Sequence, residues 1–160
     1  MQLAPKGASQ VVRIADQLRR AFEGDAWHGP GLLELLEGIN ASAAAARPVA
    51  HAHSIWELVL HIAVWDGTAI TRLNGEKRQP TGLANFPPVL GAKESAWRKA
   101  VAETKRVHDC LVKTVATLPD SRLGDRVPGK RYDFYHMLQG IAQHELYHAG
   151  QIALLKKAIA

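Results

Sequence analysis

With one cysteine in 160 residues, the chain cannot form an internal disulfide, so its stability has to come from a packed core. Cys110 is expected to be an inert, half-buried helix residue, as free cysteines usually are. No apolar run approaches the roughly 18 residues that suggest a membrane span. The opening stretch "MQLAPKGASQ" lacks the apolar core of a signal peptide. A cytoplasmic protein with no membrane partner is therefore expected. Neither an internal repeat nor a low-complexity tract appears beyond "ASAAAARP". Alternating apolar and polar positions of the kind that mark strands are also missing. The formal charge is +5, but the basic residues are scattered and interleaved with acids. The segment "AKESAWRKAVAETKR" reads as a solvated helix face rather than a nucleic-acid stripe, so no nucleic-acid partner is expected.

What remains is an ordinary globular composition, 47% apolar and 22% charged, in a chain long enough for one domain with its own core. Residues 1–160 are read as a single domain, with residues 1–8 expected to be disordered. Four long amphipathic patterns fill it. The first covers 9–23, with Val11, Ile14, Ala15, Leu18 and Phe22 as its stripe. A short helical piece follows at 31–38, after the Gly and Pro of "GDAWHGPG". The second long helix opens on Ser54-Ile55-Trp56-Glu57, a capping box in which serine and glutamate satisfy each other's orphan backbone N–H groups. It runs to about Leu73 and stops at Asn74-Gly75. The third, 92–118, steps 4, 3, 4, 3, 4, 3 through Trp97, Val101, Thr104, His108, Leu111, Val115 and Leu118, which is a bundle seam. The fourth, 133–157, carries Met137, Ile141, His144, His148, Ile152 and Leu155. Four amphipathic helices without strands predict an all-α four-helix bundle, and the long linkers permit crossover connections.

Histidine stands in that fourth seam where a bundle normally places leucine or isoleucine. His144-Glu145-Leu146-Tyr147-His148 spells H-E-x-x-H, a helical zinc motif. Residues four apart lie on one helix face, so the pair can grip one ion. His61, in "WELVLHIAVWD", is the third candidate. Three inward imidazoles are costly unpaired, a divalent metal satisfies them together, and three ligands leave a position open for substrate. A protease is not expected. No Glu, Asp or His follows His148, and residues 151 and 154 break the extended metalloprotease pattern. Glu145 is a weak candidate for a catalytic base, about 100° around the helix from His144. His108 is the candidate spare ligand by its seam position, and His51 and His53 are placed to line a pocket mouth. Tyr147 and Gln151 are placed beside the ligands or in the pocket: Tyr147 either donates a hydrogen bond near the metal or packs between helices, with packing the first choice, and Gln151, one turn on, partners a ligand histidine. The tryptophans Trp27, Trp56, Trp65 and Trp97 are expected as core or interface anchors rather than pocket walls.

The segments "HSIWELVLHIAVWD" and "LQGIAQHELYHAGQIALLKK" resemble the DinB/YfiT-like family of metal-binding four-helix proteins, and the resemblance extends over nearly the whole chain. It implies an up-down-down-up bundle, a homodimer, and a metal site made of His61, His144 and His148. Zinc, nickel, iron and manganese all suit such sites. The characterised relatives include bacillithiol-type S-transferases and a mycothiol-dependent isomerase, and others are described as metal-dependent hydrolases. The resemblance therefore implies a metal-dependent transferase or hydrolase acting on a small molecule, with a low-molecular-weight thiol as cosubstrate. The alternative is a non-catalytic, dimeric, stress-related metal-binding bundle.

Overall fold

A computed structural model describes residues 7–159 of the chain. The disorder expected of residues 1–8 falls mostly on residues 1–6, which lie outside the described residues. The helices are α1 (Gln10–Glu23), α2 (Leu32–Leu36), α3 (Ala41–Ala45), α4 (Ile55–Leu73), α5 (Glu94–Ala116) and α6 (Phe134–Ala158), with short 3-10 turns at Gly82–Ala84 and Asp120–Gly124. No β-strand occurs among the described residues. The four long helices match the four sequence patterns to within two residues, the largest differences being at the two ends of α5.

Local chemistry fixes the helix ends. Ser54 Oγ accepts from the Glu57 N–H at 3.2 Å, and Glu57 Oε2 accepts from the Ser54 N–H at 2.8 Å, so the capping box forms. Glu57 also pairs with Arg47. Gly75, at φ 92°, follows the end of α4 in the left-handed region that glycine tolerates. Asp133 caps α6 by accepting from the His136 N–H at 2.8 Å. The N-terminus of α1 is capped from across the molecule, where Asp120 accepts from Gln10 and Val11 N–H at 2.9 Å each.

Two apolar cores occupy the two ends of the bundle. One joins Val11, Ile14 and Leu18 of α1 to Leu73 of α4, Leu111 and Val115 of α5, and Met137, Leu138 and Ile141 of α6. The other joins Phe22 of α1 to Ile55, Val59 and Ile62 of α4, Trp97 of α5, and Ala149, Ile152 and Leu155 of α6. The starts of α1 and α6 therefore meet the ends of α4 and α5, which is the up-down-down-up order. α1 packs against α5 and α6, and α4 packs against the same two. The parallel pair α4 and α5 needs a long connection, and residues 74–93 supply it.

Between these cores, near the middle of α4, α5 and α6, the packing turns polar. Here lie His61, Asp66, His108, His144, Glu145 and His148. The tryptophans divide: Trp56 and Trp97 are core residues, with rings 5.3 Å apart. Trp27 is fully exposed in the turn after α1 and is not a core residue, while Trp65 packs against the first core and also lines a pocket, a wall position where the sequence favours a core or interface anchor. Cys110 is exposed on the outer face of α5 rather than half-buried.

Candidate metal centre

α4 contributes His61 and α6 contributes His144 and His148, whose ligand-capable atoms lie within 4.8 Å of one another. His144 Nε2 stands 3.0 Å from His61 Nε2 and 3.0 Å from His148 Nε2. Two nitrogens bound at about 2.1 Å to one ion are themselves separated by roughly 3.0–3.4 Å, so these spacings suit a shared cation.

The other ring nitrogens decide the tautomers. His61 Nδ1 faces the Asn85 backbone carbonyl at 2.8 Å and must donate to it. His148 Nδ1 donates to Gln151 Oε1 at 2.7 Å. In the neutral rings both Nε2 atoms then carry bare lone pairs, and both point at His144 Nε2. A single N–H on His144 Nε2 can serve only one of them. It would also leave His144 Nδ1, which is buried without a partner among the described residues, as a second bare acceptor. A divalent cation uses all three Nε2 lone pairs, so the donor set fits a metal.

Electrostatics act in the same direction. Burial, reinforced by the neighbouring histidines and opposed by the Asn85 carbonyl, holds His61 down at about 4. Burial and the charges of His148 and His61 hold His144 down at about 3. Burial also lowers His148, against the opposing bond to Gln151. Neutral imidazoles are the ligating form.

The connection between α4 and α5 completes the site. Phe86 is sandwiched between His53 and His61, with ring centroids 3.8 and 3.9 Å away and nearly parallel planes. The side-chain oxygen of Asn85 accepts from Trp65 Nε1 at 3.0 Å while its backbone carbonyl holds His61. Sequence reading missed both residues. The only local signal was an amide and an aromatic inside a Gly/Pro-rich loop. His51 and His53 line a second concavity, with Gln151 on its wall.

The triad opens on a pocket of about 450 Å³ between α4 and α6. Tyr147 lines it at the surface, 65% exposed and edge-on to His148 at 5.1 Å. Of the two roles open to Tyr147, the structure gives it a place in the pocket and not one packed between helices, because its position on α6 turns the ring outward beside the ligands.

Glu145 faces the opposite way. With Asp66 of α4 and His108 of α5 it forms a second cluster, in which every side chain is at most 1% exposed. His108 Nδ1 lies 3.1 Å from Asp66 Oδ2 and 3.0 Å from Glu145 Oε1. The imidazole stacks on Phe22 at 4.0 Å. Burial and the Asp66 charge raise Glu145 to about 8, and burial raises Asp66. Burial disfavours charge on His108 too, but the two carboxylates outweigh it and lift the ring to about 9. At neutral pH the cluster therefore retains protons, on the His108 ring and on the Glu145 carboxyl, while burial also favours the protonated form of Asp66. His108 belongs to this cluster and not to the triad. Glu145 is not among the residues lining the pocket. The sequence signals for the cluster were an aspartate inside the apolar run of α4 and a histidine in the α5 seam.

A family model described as the DinB superfamily matches residues 26–152. The chain belongs to the DinB superfamily. The match takes in all three triad histidines and most of the bundle. No curated protein and no solved structure matched the chain. The DinB assignment agrees with the all-α architecture, and the histidine group is compatible with a divalent metal.

Proposed function

We propose that this DinB-superfamily protein is a metal-dependent enzyme that acts on a small molecule, with His61, His144 and His148 as ligands to one divalent ion. The observation that carries the reading is the convergence of three imidazoles, with His144 Nε2 3.0 Å from the Nε2 of both His61 and His148, on the wall of a pocket large enough for a metabolite. A divalent ion bound there supplies Lewis-acid chemistry, lowering the pKa of a thiol or a water molecule at neutral pH.

The protein's own residues supply orientation and exclusion of water. Asn85 and Gln151 fix the ligand tautomers, and Phe86 covers His61. Trp65 and Ile141 give the pocket an apolar wall. Transfer of a low-molecular-weight thiol is favoured over hydrolysis. That preference rests on the family resemblance, since the same ion would lower the pKa of water as well and His136 lines the pocket as a candidate base. A homodimer working in the cytoplasm is part of the same proposal, on the strength of the family resemblance. Metal identity among zinc, nickel, iron and manganese is left to measurement.

The test is metal content of the reconstituted full chain beside His61→Ala and His148→Ala. One ion per chain, lost in both variants, is expected, followed by turnover of a thiol and an electrophile. Undiminished metal content in both variants would overturn the assignment.

A further inference from the structure

Three turns along α4 from His61, the same pocket ends on a buried cation. Arg72 is only 2% exposed, yet it lines the pocket. It makes no ion pair among the described residues. Its Nε and Nη2 donate to the Arg78 carbonyl at 3.0 and 2.8 Å. Nη2 also donates to Gln79 Oε1 at 3.1 Å, and Nη1 donates to the Tyr132 hydroxyl at 3.2 Å. The guanidinium sits 5.6 Å from the Trp65 ring centre. All these partners are neutral. Buried arginines are normally matched by a carboxylate, because desolvating a guanidinium is expensive.

The donor count shows what is left over. A guanidinium has five N–H groups, and the four contacts above leave one, on Nη1. Tyr132 accepts from that same Nη1, so its own O–H proton is free to donate. Two adjacent donors, one charged, therefore remain at this end of the pocket. They suit the two oxygens of a carboxylate. Among the described residues no Asp or Glu lines the pocket to compete for them. A neighbouring concavity of about 320 Å³ shares Tyr132 and His136 and adds Arg126 and Arg131. The one acid there, Asp133, is engaged in capping α6.

Helix geometry sets the spacing. Arg72 lies eleven residues beyond His61, which is about 16 Å along α4 and only about 20° around it. Both side chains therefore leave the same face, and the arginine leans back toward the helix N-terminus, shortening the gap.

We propose that Arg72 and Tyr132 form a carboxylate-binding subsite, and that the substrate or cosubstrate is an elongated acid. Its carboxylate docks on Arg72 and Tyr132 while its reactive end reaches His61, His144 and His148. This deepens the metal-dependent reading and rests on it for the identity of the reactive end.

The experiment titrates the full chain, metal-free and zinc-loaded, with straight-chain ω-thiol carboxylic acids and with their neutral amides. Calorimetry gives the affinities, and the change in tryptophan fluorescence, to which Trp65 in the pocket contributes, reports occupancy. The acids should bind about tenfold to a hundredfold more tightly than the amides, the value of one desolvated charge-assisted contact. That preference should vanish in Arg72→Gln and shrink in Tyr132→Phe, which removes only a hydroxyl and so guards against misfolding of the arginine variant. It should survive in His148→Ala, where the metal site is broken. An acid preference of about one in the native chain overturns the subsite, as does a full preference retained in both Arg72→Gln and Tyr132→Phe. Zinc content measured on the same samples separates the two ideas. Zinc bound without acid preference sinks the subsite alone, and acid preference without zinc sinks the metal reading while the subsite stands.

Discussion

Replacing His108 by leucine removes the one cation from a site where Asp66 and Glu145 are both fully buried. Leucine roughly conserves volume and keeps an apolar face toward Phe22, so the loss is electrostatic before it is steric. Breaking a buried ionic cluster by removing one partner typically costs about 3–5 kcal/mol. For a chain of this length that corresponds to a fall of roughly 6–20 °C in Tm. It is also a large share of the roughly 5–15 kcal/mol that holds a domain folded.

The deficit should depend on pH in a specified direction. Glu145 and Asp66 have folded pKa values above their unfolded ones, so the native state binds extra protons; for Glu145 the window runs from about 4.5 to about 8. His108 is raised from 6.5 to about 9, so its contribution is complete below 6.5 and is lost as pH rises through about 9. In the native protein, stability should thus fall between pH 6.5 and 9. In His108→Leu both carboxyls can protonate in mild acid, so the penalty should be smaller near pH 5 than near pH 8. Urea unfolding followed by circular dichroism at the two pH values measures both effects. A variant within about 1 kcal/mol of the native protein at pH 8, unfolding just as cooperatively, would refute the reading of this cluster as a charged, proton-retaining brace.

Three further outcomes are expected. In the metal-free protein, His61 and His144 are held near 4 and 3, below their unfolded value of 6.5, so the unfolded chain binds more protons in that window. These histidines should lower stability as pH drops from 6.5 toward 4, partly offset by Glu145, whose raised pKa acts in the opposite direction, and zinc should lift the whole curve without removing its slope; denaturation curves across that range, with and without zinc, check it. Gln151→Ala frees the His148 tautomer and should weaken metal affinity about tenfold to a hundredfold while leaving the bundle intact, as read by competition with a chromophoric chelator. Because Cys110 is exposed, one thiol per chain should react with a disulfide reagent without denaturant; no reaction until unfolding would contradict its placement on the outer face of α5.

The cluster and the triad were unequally legible in the sequence, for a physical reason. His144 and His148 are four apart on one helix, so their common face follows from helical geometry. His61 stood out as a polar residue in an apolar run. Asp66, His108 and Glu145 come from three different helices, and only the relative rotation and slide of those helices brings their heads within 3.1 Å. Glu145 illustrates the point: the motif next to it suggested a base beside the metal, but its azimuth aims it at the bundle interior. For Tyr147, residue type favours packing between helices over a hydrogen bond near the metal, and by residue type Trp27 reads as a core or interface anchor. Whether a large ring is buried depends on whether another element arrives to cover it, and among the described residues none does.

By itself the sequence determined what local physics determines. The 3-4 periodicity gave four helices, Ser54 and Glu57 gave one cap, Gly75 gave one stop, and the histidine spacing gave a ligand pair. These depend on contacts within a turn or two of the chain. Only tertiary structure decided which ring nitrogens point inward, since Asn85 reaches His61 from a connection 24 residues away. It alone placed Arg72 at the far end of the same pocket, matched with Tyr132 across 60 residues. It also drew Asp66, His108 and Glu145 into one buried cluster. Hydrogen bonds and charge pairs are short-ranged and directional, so their partners are fixed by how the helices pack and not by the order in which they occur.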